Sequence, residues 1–267
     1  MKKILYAVIF VLANAAAYAI QYEVPMLDLT VPSGLADKQM YFNFGHKFMQ
    51  SLNDYPSGDT SAIFKNGASL NLNARYMIWN GIEVKAGYDT LSDEKNVGVS
   101  YVKKLPAAFF NAQLDVQFFS YDDKALRGQT AKNFFYLLSA QTVPLLDERF
   151  TAAIDLGYDG YFQRAVMGLG LSFMVIKDLT IVAEYYPVIP VINKEDGEGA
   201  TSVDPEINGC YGIGIRYSTY GHQFMLKFGN STQMEARQLM QGTSADNIYV
   251  GISIMRLIDF SGAEDAQ

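Results

Sequence analysis

The chain has 267 residues, a formal net charge of −7, 49% hydrophobic residues and 36 aromatic side chains. The acidic balance excludes a nucleic-acid partner, which would want a basic face. The one cysteine, Cys210, excludes an intrachain disulfide, and no later hydrophobic run reaches the roughly 18 residues that a membrane-spanning helix needs.

The chain opens as an export signal. Lys2 and Lys3 supply the positive start, residues 4–13 a short apolar stretch broken by Tyr6, and Ala17-Tyr18-Ala19 the small residues that signal peptidase reads. Residues 1–19 are expected to be cleaved after Ala19. The apolar stretch is shorter than the ~20 residues of a spanning helix. No cysteine stands at the cleavage site, which argues against a lipoprotein. Cleavage removes two lysines and no acid, leaving 248 residues with a charge of −9. Residues 20–39 are expected to form a periplasmic lead-in, residues 40–260 a barrel, and residues 261–267 a short tail.

From residue 40 the dominant pattern is period-two alternation. Leu70, Leu72, Ala74, Tyr76 and Ile78 share one face, and Ser69, Asn71, Asn73 and Arg75 the other. After Trp79-Asn80-Gly81 the pattern resumes, with Ile82, Val84, Ala86 and Tyr88 opposite Glu83, Lys85, Gly87 and Asp89. Asn80-Gly81 is a two-residue hairpin signal, since both central positions of a type I′ turn need positive φ. Strands are read near 40–49, 68–78, 81–89, 95–104, 109–119, 132–142, 149–158, 161–175, 178–187, 209–218, 221–229 and 246–257. The connectors near Trp79, Pro106, Pro144, Lys177 and Thr219 are short. Those at 50–67, 120–131, 188–208 and 230–245 are long and polar, whereas 90–94 and 159–160 are short exceptions.

Short turns on one side and long loops on the other describe an outer-membrane barrel with periplasmic turns. The expected fold is therefore all-β: a transmembrane, antiparallel, up-and-down barrel of about twelve strands. An even count puts both termini in the periplasm. Aromatics near strand ends give two interfacial girdles. Trp79, Phe109, Tyr217 and Phe224 are assigned to the turn side, and Tyr88, Tyr158, Tyr185 and Tyr249 to the loop side. Closure follows from energetics, because each unpaired backbone group in hydrocarbon costs several kcal/mol and an open edge exposes a row of them.

The expected lumen carries both signs of charge: Arg75, Lys85, Arg149, Arg164, Arg216 and Lys227 against Glu83, Asp115, Asp155 and Glu184. Two readings stay open. Fixed wall charge biases ion entry into a pore, or the same charges pair and plug a narrow barrel. About 8 strands are filled by side chains and 16 to 18 leave a channel, so twelve does not decide. The expected function is an outer-membrane barrel acting as a narrow passive pore for small solutes. The alternatives are a non-conducting barrel acting through its outer loops, and an outer-membrane lipase or protease.

No catalytic, cofactor or metal site is assigned. His46 and His222 fall on the lipid-facing rows and have no serine two positions along their strands. No G-x-S-x-G, H-E-x-x-H or P-loop pattern is present. The loop bearing Glu195, Asp196, Glu198, Asp204 and Glu206 could offer oxygen ligands, but its spacing is not that of a calcium loop, and Gly197 and Gly199 suit a solvated segment. The last strand, with Tyr249, Gly251, Ile252, Ile254 and then Phe260, looks like the aromatic-ended strand read by the barrel-assembly machinery. The expected partners are that machinery, outer-membrane lipid and small solutes.

Three stretches resemble a family of uncharacterised outer-membrane β-barrels from Gram-negative bacteria, classed as a domain of unknown function. They are Phe44-Gly45-His46-Lys47-Phe48, then Tyr220-Gly221-His222-Gln223-Phe224 with Phe228-Gly229-Asn230-Ser231, and residues 247–256 ending Gly251-Ile252-Ser253-Ile254-Met255-Arg256. Tyr220 stands where the family's hairpin has the first glycine of a pair. The resemblance implies the barrel and supplies no activity.

Overall fold

The computed structural model describes residues 26–54, 67–105, 109–123, 129–147, 149–189, 191–192, 201–202, 207–219 and 221–261. The expected cleavage site and the acidic residues from Glu195 to Glu206 lie outside them.

Twelve described strands close into one antiparallel barrel. In chain order they are β1 (Gln39–Ser51), β2 (Ala68–Trp79), β3 (Ile82–Asp89), β4 (Glu94–Leu105), β5 (Phe110–Asp123), β6 (Gln129–Thr142), β7 (Phe150–Asp159), β8 (Arg164–Ile176), β9 (Leu179–Tyr186), β12 (Cys210–Thr219), β13 (His222–Gly229) and β14 (Tyr249–Asp259). The first strand pairs with the last, Gln39 opposite Asp259 and Lys47 opposite Gly251. Two short strands, β10 (Val191–Ile192) and β11 (Thr201–Ser202), pair with each other between β9 and β12. This is the all-β barrel that the alternation implies.

Each strand keeps its two faces. On β4 Val97, Val99 and Tyr101 are exposed, while Asn96, Ser100 and Val102 are buried. On β7 Ile154, Leu156 and Tyr158 point out, and Ala153, Asp155 and Asp159 are buried. Such an outward apolar row is stable only against lipid. The Asn80-Gly81 hairpin has the expected positive φ values, 47° and 85°. A side chain at Gly81 would run into the Val102 carbonyl oxygen. The eighth strand starts at Arg164, later than residue 161, because the Asp159 carboxylate accepts the amides of Tyr161 and Phe162 and so builds a tight turn; Gln163 closes it at φ 52°.

Two segments enter the barrel. Residues 26–33, within the stretch 20–39 expected as a lead-in, run inside the barrel, and Met26, Leu27, Leu29 and Val31 are buried in the same cluster as Phe119, Phe135 and Met240. The segment adds no strand to the sheet. Residues 230–245, read as a long polar loop, fold into the loop-side mouth around a one-turn helix, α1 (Ala236–Leu239), and bury Met234, Leu239 and Met240. Twelve strands enclose more space than side chains alone can fill, and these two segments fill it.

Candidate functional site: an occupied lumen

The inner wall is built from residues two apart on neighbouring strands. Near the turn side Arg75 Nε donates to Glu83 Oε1 at 2.8 Å, and its Nη2 donates to Gln113 Oε1 at 3.0 Å. Lys85 Nζ meets Asp115 Oδ2 at 2.6 Å, and Gln117 also donates to that oxygen. Ser100 Oγ donates to Glu83. Three wall charges bind the inserted segment instead. Arg75 Nη2 donates to the Val31 carbonyl at 3.0 Å. Lys227 Nζ donates to the Leu27 carbonyl at 3.0 Å and pairs with Asp28 at 2.6 Å. Glu184 accepts the backbone amides of Leu27, Asp28 and Leu29, the shortest at 2.6 Å, and the Tyr186 hydroxyl at 2.7 Å.

The expected wall residues are therefore not equivalent. Arg75, Glu83, Lys85 and Asp115 form one connected set, and Glu184 and Lys227 grip the segment. Asp155 is fully buried between Ser139 and Gly168. Arg216 is buried on β12. Arg164 sits at the loop-side rim, its guanidinium 5.6 Å from the Phe162 ring. Arg149 is a correction: it is exposed in the turn before β7, where its amide bonds Leu145, and not on the wall. The wall also includes Lys47, whose Nζ donates to the Gln233 carbonyl at 3.1 Å.

Four glycines shape the track of the segment. Gly168 and Gly170 sit on the inward row of β8, and Gly212 and Gly214 on that of β12. A side chain at Gly168 would strike Leu29, and one at Gly214 would strike Leu27. At Gly170 a Cβ would lie 2.8 Å from Met26 Sδ, and at Gly212 3.0 Å from Leu27. The missing side chains are the room the segment occupies. Gly214→Leu is therefore expected to evict Leu27, an overpacking cost of about 1–3 kcal/mol. Limited proteolysis should then cut within residues 26–35 while the barrel keeps its heat-modifiable gel migration.

The loop-side mouth is closed by Arg237. It pairs with Glu94 at 2.6 Å and Asp159 at 2.9 Å, and its guanidinium lies 3.9 Å from the Phe119 ring centre and 4.7 Å from that of Tyr121. Burial works against its charge, but the two carboxylates outweigh that and hold its pKa above the usual value. Gln238 and Gln241 add bonds to Glu94 and Asp159. Beside this latch Asn71 Nδ2 donates to Glu235 Oε1 at 2.7 Å. Burial, reinforced by the Glu94 charge, pushes the Glu235 carboxyl up to about 8. A carboxyl whose pKa is raised on docking favours the docked lid when protonated. That contribution is complete below the ordinary carboxyl range and is lost as pH rises through about 8. Amide exchange in residues 234–241 should therefore accelerate between neutral pH and pH 9, beyond the intrinsic rise, and Glu235→Gln should remove the excess.

Between the segment and the wall a cavity of about 110 Å³ remains, lined by Asp28, Arg75, Lys85 and Glu235 among others. That is room for a few waters.

Of the expected interfacial aromatics, Trp79 and Phe109 are exposed at the turn side and Tyr158 and Tyr185 at the loop side. A bulge between Met77 and Trp79 turns Trp79 out of the inward row. Tyr88 packs beneath Lys95 Nζ at 5.8 Å. Tyr217 and Phe224 pair across β12 and β13 on the outward rows. Tyr249 departs from the expectation, since it shares the inward row of Gly251 and Ser253. His46 lies against Phe44, ring centres 4.7 Å apart, and His222 against Phe224 at 6.3 Å, both on outward rows. Among the described residues no group of histidine, cysteine and carboxylate side chains could hold a metal ion.

Residues 130–257, from β6 into β14, match the family model described as a membrane-bound β-barrel domain of unknown function. No curated protein matches the chain. Among solved structures it is similar to a KdgM porin in complex with disordered oligogalacturonate, at TM-score 0.52 and 10% identity, over 81% of this chain and 98% of that one. It is also similar to outer membrane phospholipase A from Escherichia coli (TM-score 0.46, 10% identity, 91% and 99%). A third is the outer membrane protein Omp33 of Acinetobacter baumannii (0.44, 9%, 85% and 100%). At 10% identity the likeness to the KdgM porin is one of fold alone. The chain is a membrane β-barrel of the outer-membrane type.

Proposed function

We propose that this chain is an outer-membrane pore for small solutes, held closed at rest by its own residues 26–35. The reading includes export by the signal cleaved after Ala19, insertion by the barrel-assembly machinery and a periplasmic C-terminus. One observation carries it: the segment that fills the lumen adds no strand to the sheet, so it can leave without breaking a single wall ladder. Behind it stands a wall of Arg75, Glu83, Lys85, Asp115, Gln113 and Gln117, more polar than a permanently packed core needs. Those fixed charges would bias which ions enter. No enzymatic role is included, since both histidines face outward against phenylalanines. A second reading, a permanently closed barrel acting through its outer surface, draws on the Arg237 latch, which closes the same lumen from the other end.

Planar-bilayer recording tests the proposal. The full chain should be silent, and a variant lacking residues 26–35 should show discrete conductance steps. If the deletion fails to insert, full-length Glu184→Ala/Lys227→Ala serves in its place. Inserted, heat-modifiable variants that stay silent would favour the closed barrel and overturn the pore.

A further inference from the structure

The wall grips the N-terminal segment as a site grips a ligand. Glu184 takes three consecutive backbone amides, those of Leu27, Asp28 and Leu29. Lys227 takes the Leu27 carbonyl and the Asp28 carboxylate. Arg75 takes the Val31 carbonyl. Most of these contacts read main chain, bent at Leu27-Asp28 so that three successive amides converge on one carboxylate. Selectivity comes from three places: Lys227 asks for an acid at the second position, the notch at Gly212 and Gly214 takes the aliphatic residue before it, and the notch at Gly168 and Gly170 takes the one after. The contributing strands are β2, β8, β9, β12 and β13, so the site exists only in the closed barrel. The segment reaches it from the turn side. Asp37 accepts the Asn80 amide there, and Gly34, Ala36 and Asp37 are exposed.

We propose that the lumen is a peptide-binding site for segments that bend at an acidic residue between two large aliphatics. Residues 26–31 are its tethered resident, and a periplasmic peptide of the same chemistry takes their place. The tether sets the competition. A short linker holds its end at an effective concentration near millimolar, so a free peptide binds weakly until the resident is detached. This inference rests on the reading of residues 26–35 as a removable plug, but not on conduction.

The experiment keeps the full chain. A sequence-specific protease site is placed at Gly34–Ala36, the protein is folded and then cut, and a fluorescent peptide of residues 26–33 is added. Anisotropy should show saturable binding to the cut protein and at least tenfold weaker binding to the uncut one. A peptide carrying Asp28→Lys, or a barrel carrying Lys227→Met, should lose at least tenfold. A cut protein that sheds its own segment and still takes up no label overturns the site, as does equal uptake of the Asp28→Lys peptide. Peptide binding in a barrel silent after cutting would leave the site and remove the pore; conductance after cutting without peptide binding would do the reverse.

Discussion

Glu184→Ala is expected to free residues 26–31 from the wall. The substitution strands three amides, those of Leu27, Asp28 and Leu29, and removes the partner of the Tyr186 hydroxyl. Three buried amides left without an acceptor, at about 1–3 kcal/mol each, cost at least about 3–5 kcal/mol together. Since each 1.4 kcal/mol is a factor of ten, exchange of those three amides should accelerate by about 100-fold or more. Hydrogen exchange followed by mass spectrometry reads this directly. The strand amides of the wall should keep their rates, because the segment adds nothing to their ladders. Glu184→Gln keeps one acceptor oxygen and should fall between wild type and alanine. Unchanged exchange in Glu184→Ala would mean that the apolar contacts of Leu27, Leu29 and Val31 hold the segment without the carboxylate.

Arg237→Ala should have a comparable effect at the opposite mouth. It leaves Glu94 and Asp159, both buried, without their cation, at a cost again of about 3–5 kcal/mol. It also uncovers the faces of Phe119 and Tyr121. Residues 234–241 are then expected to detach from the mouth and become cleavable by added protease in intact outer membranes. Arg237→Lys should rescue only in part, since an ammonium cannot bridge two carboxylates in a fork while stacking on a ring. The two substitutions loosen different ends of the lumen, so protease cleavage of residues 234–241 in Glu184→Ala should stay at the wild-type level.

The wall was legible in the sequence because alternation there is a physical requirement. Lipid on one side and a packed, largely polar interior on the other force each strand to switch character from residue to residue, as Ser69 to Tyr76 does throughout and Phe150 to Tyr158 does except at Ala153. Asn80-Gly81 was legible for an equally local reason, two positive φ values in succession. Arg149 failed because alternation was carried one residue beyond the end of β7, into a turn that points it at solvent. Tyr249 failed because aromatic identity at a strand end was given more weight than its parity with Gly251 and Ser253. The lumen contents were not legible from periodicity at all. Residues 26–38 carry no repeating pattern, since they form no regular structure and the wall partners of residues 26–31 lie from 44 to 200 positions away along the chain. The loop at 230–248 looked polar because its polar residues, Arg237 and Glu235 among them, are satisfied by wall carboxylates and amides rather than by water. One signal was present. Gly168-Leu169-Gly170 and Gly212-Ile213-Gly214 put glycine twice running on inward rows, where a barrel filled only by its own side chains would need bulk.

The most direct test of the account is whether the N-terminal segment lies in the lumen. Leu27→Cys and Gly214→Cys, in a Cys210→Ser background, place two thiols at a contact that exists only if the segment threads the barrel beside β12. In cells treated with a thiol oxidant or a short bifunctional thiol reagent, the account predicts near-complete intramolecular cross-linking, seen as a reductant-sensitive or reagent-dependent gel shift of the unfolded chain. It also predicts no cross-link when Leu27→Cys is paired with Leu138→Cys on the outward row of β6. Free thiols at both positions in a folded, heat-modifiable barrel, labelled separately and never joined, would contradict it.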